Sequence, residues 1–194
     1  MARLGLGFEA VSKINPKIIY CSITGYGQDG PMRDVAAHDL NYTAHAGLLS
    51  LSMGPEDCRV LPPALIADIA GGAYPSVMNI LLALREREKT GKGCYLDMAM
   101  AENVLPFMYW SMGNGLAAGK WPVNGKERVT GGTARFHIYT TKDGKAVAAA
   151  PLEQKFWENF CEIIELEDNF KNDDADPEAT IARVEAIIRA DTAA

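Results

Sequence analysis

Ala67-Asp68-Ile69-Ala70-Gly71-Gly72, running into the apolar segment 73–84, sets the architecture of this chain. A carboxylate and two glycines at the mouth of a long helix bring together an ionisable group, open backbone N–H groups and the positive end of a helix dipole. Ile69, Val77, Met78, Ile80, Leu81, Leu82 and Leu84 leave no clear polar face, which predicts a helix covered on most sides. Arg85, Arg87, Lys89 and Lys92 gather near Gly91 and Gly93, and suit its C-terminus by charge and stop signal. Pro75 cannot donate to the helical ladder, so the helix is kinked there or starts only near Tyr74. Taken alone, Asp68 reads as an N-cap.

Upstream, Phe8, Val11 and Ile14 recur at helical spacing within 4–14, Asn15-Pro16 closes that segment, and 17–24 reads as a buried strand. Helix then strand predicts an α/β layer. The loop Gly25-Tyr26-Gly27-Gln28-Asp29-Gly30 matches the dinucleotide pattern G-x-G-x-x-G, yet Pro31 and Asp34 follow where a helix should start. It is read instead as a glycine-rich loop on which a ligand can rest. A helix is expected over 36–49, with His38, Tyr42 and His45 along one side, and a loop over 52–63.

Downstream, 94–98 reads as a short strand and 99–116 as a second long helix, with Met98, Met100, Met108 and Met112 in or beside it. Methionines at that spacing fill a core, or else form a plastic apolar surface for hydrocarbon chains. The glycine-rich stretch 117–134 is the expected domain boundary. Segments 136–141 and 146–150 flank Lys142-Asp143-Gly144-Lys145 as a hairpin. A helix over 153–164 should turn Phe156, Trp157, Phe160 and Ile163 inward, and Pro177-Glu178 opens a last helix carrying Ile181, Val184, Ile187 and Ile188.

The 194 residues are 48% hydrophobic, enough for an ordinary core. A net charge of −6 without a basic stripe argues against nucleic acid and against anionic membranes as partners. Cys21, Cys58, Cys94 and Cys161 are isolated, with no Cys-x-x-Cys pair and no His at metal spacing, so reduced thiols and no metal site are expected. No span of about 20 apolar residues and no signal-peptide core are read from the sequence, which makes the cytoplasm or an organelle matrix the expected location.

His38, Asp68 and Glu153 each stand where a turn or helix end can present them, but His38 alone reads as a core histidine and Glu153 as a helix-end charge. The motifs around them carry a resemblance. Ala37-His38-Asp39-Leu40-Asn41-Tyr42, Ala67-Asp68-Ile69-Ala70-Gly71-Gly72 and Pro151-Leu152-Glu153 resemble motifs of the family III CoA-transferases (CaiB/BaiF type), and most nearly those of the α-methylacyl-CoA racemase branch. Arg3-Leu4-Gly5-Leu6-Gly7, Asn15-Pro16-Lys17-Ile18-Ile19-Tyr20, Gly25-Tyr26-Gly27-Gln28 and Thr90-Gly91-Lys92-Gly93 follow the family's order, and the likeness covers 3–166.

The resemblance implies an α/β fold: part of a Rossmann-like large domain over 1–120, a linker at 121–134 and part of a smaller α+β domain over 135–194. It implies that Asp68 serves as nucleophile in transferases and as acid/base in racemases, and that His38 assisted by Glu153 marks the racemase branch. Racemisation next to a thioester needs a base on one face of the α-carbon and an acid on the other; the resemblance implies that His38 and Asp68 fill those roles, with Glu153 orienting the imidazole. Backbone N–H groups near Asp68 are expected to stabilise the enolate oxygen. CoA contacts are implied for Arg3, on a phosphate, and for Ala37, Asp39, Leu40, Asn41 and Tyr42. Coenzyme A enters as part of the substrate, so no separate cofactor is expected. An interlocked homodimer and an acyl-CoA thioester are the implied partners. Family members are roughly twice this length, so a fragment is expected. The alternatives are a CoA-transferase acting through an acyl anhydride on Asp68, and an inactive remnant.

Overall fold

In a computed structural model, which describes residues 1–51 and 60–193, the chain divides into two compact units. The first comprises Met1–Ser50 and Leu61–Gly113, and the second is built on the residues from Asn114 onward. The loop expected over 52–63 and Cys58 lie largely or wholly outside the described residues.

In the first unit a 3-10 turn at Ala2–Leu4 leads into α1 (Phe8–Ile14) and β1 (Ile19–Thr24). Next come α2 (Asp39–Ala46), a 3-10 turn at Leu48–Leu51 and a π-helical turn at Ala67–Ala73. That turn runs directly into α3 (Tyr74–Thr90), then β2 (Cys94–Ala99) and the short α4 (Met100–Asn103). Both β1 and β2 stand where the sequence places them, and they pair in parallel, Ile19 opposite Cys94 through Thr24 opposite Ala99. Parallel pairing demands a crossover, and α3 supplies it, packing on both strands. Gly93 opens β2 because nothing larger fits: a Cβ there would lie 1.8 Å from the Ile18 carbonyl oxygen. Phe8 of α1 lies against Tyr20 and Tyr95 of the two strands, with ring centroids 6.1 and 5.5 Å away.

The central helix departs from expectation in its surroundings. Tyr74, Val77, Met78, Leu81 and Leu82 form a stripe at i, i+3, i+4 spacing, and all are 56–65% exposed. A two-stranded sheet covers only the opposite face, so the helix is not enclosed on most sides. The continuous helical run Ala67–Thr90 is 24 residues long and, by length and composition, apolar enough to cross a membrane, contrary to the expectation that no such span exists; core helices of soluble proteins pass the same measure.

Pro75 sets the start of α3, as one of the two expectations had it, and the chain reaches it through wider turns instead of a break. Tyr74 N–H donates five residues back to the Ile69 carbonyl. The Gly71 carbonyl, which an α-helical Pro75 would leave unpaired, accepts from Asn103 Nδ2 at 2.9 Å, and the Gly72 carbonyl accepts from Ser76 Oγ at 2.7 Å. The second helical run is broken into α4, a 3-10 turn at Leu105–Met108 and α5 (Tyr109–Ala118), with Pro106 inside the interruption. Of the methionines in or beside it, Met108 is buried, and Met98 of β2, Met100 and Met112 are half-buried.

The second unit contains the expected hairpin, β3 (His137–Thr140) antiparallel to β4 (Ala146–Ala149), closed by Gly144 at φ +75°. Two helices follow, α6 (Gln154–Ile163) and α7 (Pro177–Ile188), the latter capped by Asp176, whose Oδ1 accepts from the Ala179 N–H at 2.9 Å. Trp157, Tyr139, Cys161, Leu166 and Val184 form the core, with Phe160, Ile164, Ile181 and Ile188 around it. The inward face of α6 is therefore Trp157, Phe160, Cys161 and Ile164; Phe156 and Ile163, expected inside, are 54% and 80% exposed. Phe156, Phe160 and Ile163 also stand at i, i+4 and i+7, so spacing alone allows either face; the observed face is the one that is apolar at all four of i, i+3, i+4 and i+7.

Candidate active site

The site in the first unit is built where α2 begins and the π-helical turn crosses it. His38 precedes α2 in an extended conformation and is exposed. Its N–H donates to Asn41 Oδ1 at 3.1 Å, and its carbonyl accepts from the Asn41 and Tyr42 N–H groups at 2.9 and 3.2 Å. The helix starts at Asp39 and not at 36, so His38 sits at its mouth instead of on its side. His45 faces elsewhere, its Nδ1 bonded to the Tyr26 hydroxyl.

Asp39 joins the two halves of the site. It is 6% exposed, and its Oδ2 accepts from the Asp68 N–H at 2.9 Å. A buried carboxylate is stable only when its lone pairs are used, and here the donor is the backbone of the residue 29 positions away. The residue beside His38 is thereby fixed against the backbone of Asp68. Asp68 itself is half-buried and stands inside the first π-helical turn, with Ile66 at the cap position, so it is not an N-cap.

The glycines behave differently from the sequence reading. Gly71 and Gly72 are buried, and a Cβ would fall 2.5 Å from the Met100 carbonyl oxygen at Gly71 and 3.0 Å from Met100 Sδ at Gly72. They allow α4 to press on the helix. The Asp68 N–H is spent on Asp39, and the Ile69 N–H donates to Leu65 at 3.2 Å, so neither serves an enolate oxygen as expected.

Tyr42 packs beneath this junction. Its hydroxyl donates to the Ala37 carbonyl at 2.6 Å, its ring meets Tyr26 edge-on at 5.2 Å, and Gly25 leaves room for it, since a Cβ there would lie 2.3 Å from the ring. Burial, and then the nearby Tyr26 and Asp68, raise its phenol above the usual tyrosine range. The loop after β1 is pinned at Gln28, whose N–H donates to Asp97 Oδ2 at 2.8 Å, and no helix starts before Asp39. Among the candidate CoA contacts, the Asp39 and Tyr42 side chains are thus used internally, Ala37 is half-buried, and Arg3, Leu40 and Asn41 are exposed.

Glu153 belongs to the second unit, where it precedes α6 at φ −76°, ψ 145°. Its carbonyl accepts from the Trp157 N–H at 2.9 Å, while its side chain is exposed and makes no capping bond. It lines a cleft with Arg128, Arg135 and Asp174. The roles of Asp39, Asn103 and Arg135 carried no signal in the sequence, because each acts on a partner distant along the chain. Among the described residues no group of His, Cys, Asp and Glu could hold a metal ion.

Comparisons with known proteins agree with this architecture. The chain is 34% identical over 160 residues to human α-methylacyl-CoA racemase, covering 81% of this chain and 41% of that protein. It is 37% identical over 174 residues to mouse succinyl-CoA:glutarate CoA-transferase, covering 86% and 37%. Among solved structures, a CaiB/BaiF family protein from Brucella suis superposes with a TM-score of 0.74 at 28% identity, over 96% of this chain and 49% of that one. Rv3272 from Mycobacterium tuberculosis shares the fold, with a TM-score of 0.80 at 24% identity over 99% and 52%. The chain therefore spans about half the length of these relatives, or somewhat less. With the family model for CoA-transferase family III matching residues 1–194, this chain belongs to that family.

Proposed function

We propose that the protein inverts the α-carbon of a 2-methylacyl-CoA thioester by two-base proton transfer. The supporting observation is the Asp39 carboxylate on the Asp68 N–H, which keeps Asp68 beside the segment that carries His38. In this reading one of the pair takes the α-proton, and the C–H electrons pass into the thioester carbonyl as an enolate. The other returns a proton to the opposite face, so only configuration changes. Glu153 orients the imidazole, as the family resemblance implies, and an interlocked homodimer completes the proposal.

A second reading is favoured by the 37% identity to a CoA-transferase. Asp68 then attacks the thioester carbonyl, expels the CoA thiolate and forms a mixed anhydride. Incubation of a 2-methylacyl-CoA in heavy water with free succinate separates the two. Deuterium at the α-carbon without new CoA esters supports the racemase; succinyl-CoA without exchange replaces it with the transferase; neither product overturns both. His38→Ala and Asp68→Ala should each slow exchange by about a hundredfold or more with an unchanged melting temperature. Retained exchange in either variant removes that residue from the chemistry.

A further inference from the structure

Glu153 is exposed and uncapped, yet its two neighbours along the chain are tied to guanidinium groups. Arg135 reaches the Leu152 carbonyl with one terminal nitrogen at 3.5 Å and Gln154 Oε1 with the other at 3.0 Å. Arg128 donates to the same Leu152 carbonyl at 3.1 Å. The Arg135 fork is in turn fixed by Asp173, through Nε to Oδ1 at 2.9 Å and a terminal nitrogen at 2.8 Å, with the two side chains only 12% and 3% exposed. Its guanidinium carbon also lies 5.1 Å from the Trp157 ring, and Trp157 is the residue whose N–H holds the Glu153 carbonyl.

We propose that Arg135, with Arg128, is a positioning residue for Glu153, an inference that rests on the role given to Glu153 above. A carboxylate that must orient a catalytic group needs a fixed backbone beneath a free side chain. Arg135 and Arg128 hold the backbone carbonyl just before Glu153, Arg135 also holds the Gln154 side chain just after it, and the Glu153 carboxylate is left unengaged by a cap. Lysine keeps the charge opposite Asp173 but lacks the planar fork that spans three partners at once.

The test is a double-mutant cycle read by α-proton exchange in heavy water. Arg135→Lys should lower kcat about tenfold with KM within about twofold, and in a Glu153→Gln background it should cost less than about twofold. Arg128→Met, at an exposed position, should show the same coupling with a cost of about threefold, and it decides the matter if Arg135→Lys does not fold. A purely structural role lowers activity by the same factor in both backgrounds, which would overturn the proposal while leaving Glu153 in the mechanism. If Glu153→Gln alone exchanges at the unaltered rate, the role of Glu153 fails and the inference with it.

Discussion

Asp39 is the residue on which the site's geometry turns. Its carboxylate is buried and is spent on a single backbone donor, the Asp68 N–H, at 2.9 Å. Removing the acceptor strands a donor in a half-buried helix turn, at a cost of about 1–3 kcal/mol. Asp39→Ala should therefore lower the unfolding free energy read from urea titration by that amount and slow proton exchange, since Asp68 loses its tie to the segment bearing His38. Asp39→Asn keeps an oxygen in place and should recover part of both losses. A stability unchanged by Asp39→Ala would mean that the bond contributes nothing net. Cys161 is a contrasting case at the same level: burial pushes its thiol up to about 11, which keeps it protonated and unreactive near neutrality.

The hairpin shows how a local element can be read from sequence and tested by pH. Asp143 accepts from the Thr141 hydroxyl at 2.6 Å, pairs with Lys145 at 2.9 Å and accepts from the Ala193 N–H at 3.2 Å, and these bonds lower its carboxyl to about 2. A folded value below the unfolded one, about 3.9, stabilises the fold above that unfolded value and ceases to do so as pH falls through about 2. The melting-temperature gap between the native chain and Asp143→Asn should be full above about pH 5, shrink as pH falls and close only below about pH 2; a constant gap would refute the linkage. That hairpin, both strands of the parallel pair and α7 were legible because turn residues and β-branched or i, i+4 patterns encode them locally. The π-helical turn was not, because it depends on Asn103 reaching the carbonyl that Pro75 cannot serve. Nor was the enclosure of α3: its apolar pattern says what the helix can bury, and what covers it is decided by elements elsewhere. Asp68 and His38 were picked out by family motifs, while the bond that brings their segments together spans 29 residues and leaves no mark in spacing.

Across the whole molecule the apolar interior is divided unequally between the two units. Trp157, Tyr139, Val184 and Cys161, all within 1% exposure, share one continuous core in the second unit. The first unit's core cluster rests on Tyr42, Ala67 and Val104, and its longest helix leaves Val77, Met78, Leu81 and Leu82 at 56–63% exposure. Burial of large side chains is the main favourable term in folding, at roughly 25 cal/mol per Å² of apolar surface, so the units should differ in their opening free energies. Each unit having a core cluster of its own among the described residues also relaxes the condition for all-or-none unfolding. Hydrogen exchange followed by mass spectrometry should accordingly show α6, α7 and the β3–β4 hairpin exchanging more slowly than α3, with the α3 peptides opening at lower denaturant. Trp157, whose indole N–H donates to the Lys171 carbonyl at 2.8 Å, should stay protected after α3 has exchanged. Equal protection across both units would mean that they open as one body, and that the small cluster around Tyr42 and Val104 holds its unit as firmly as the larger core holds the other.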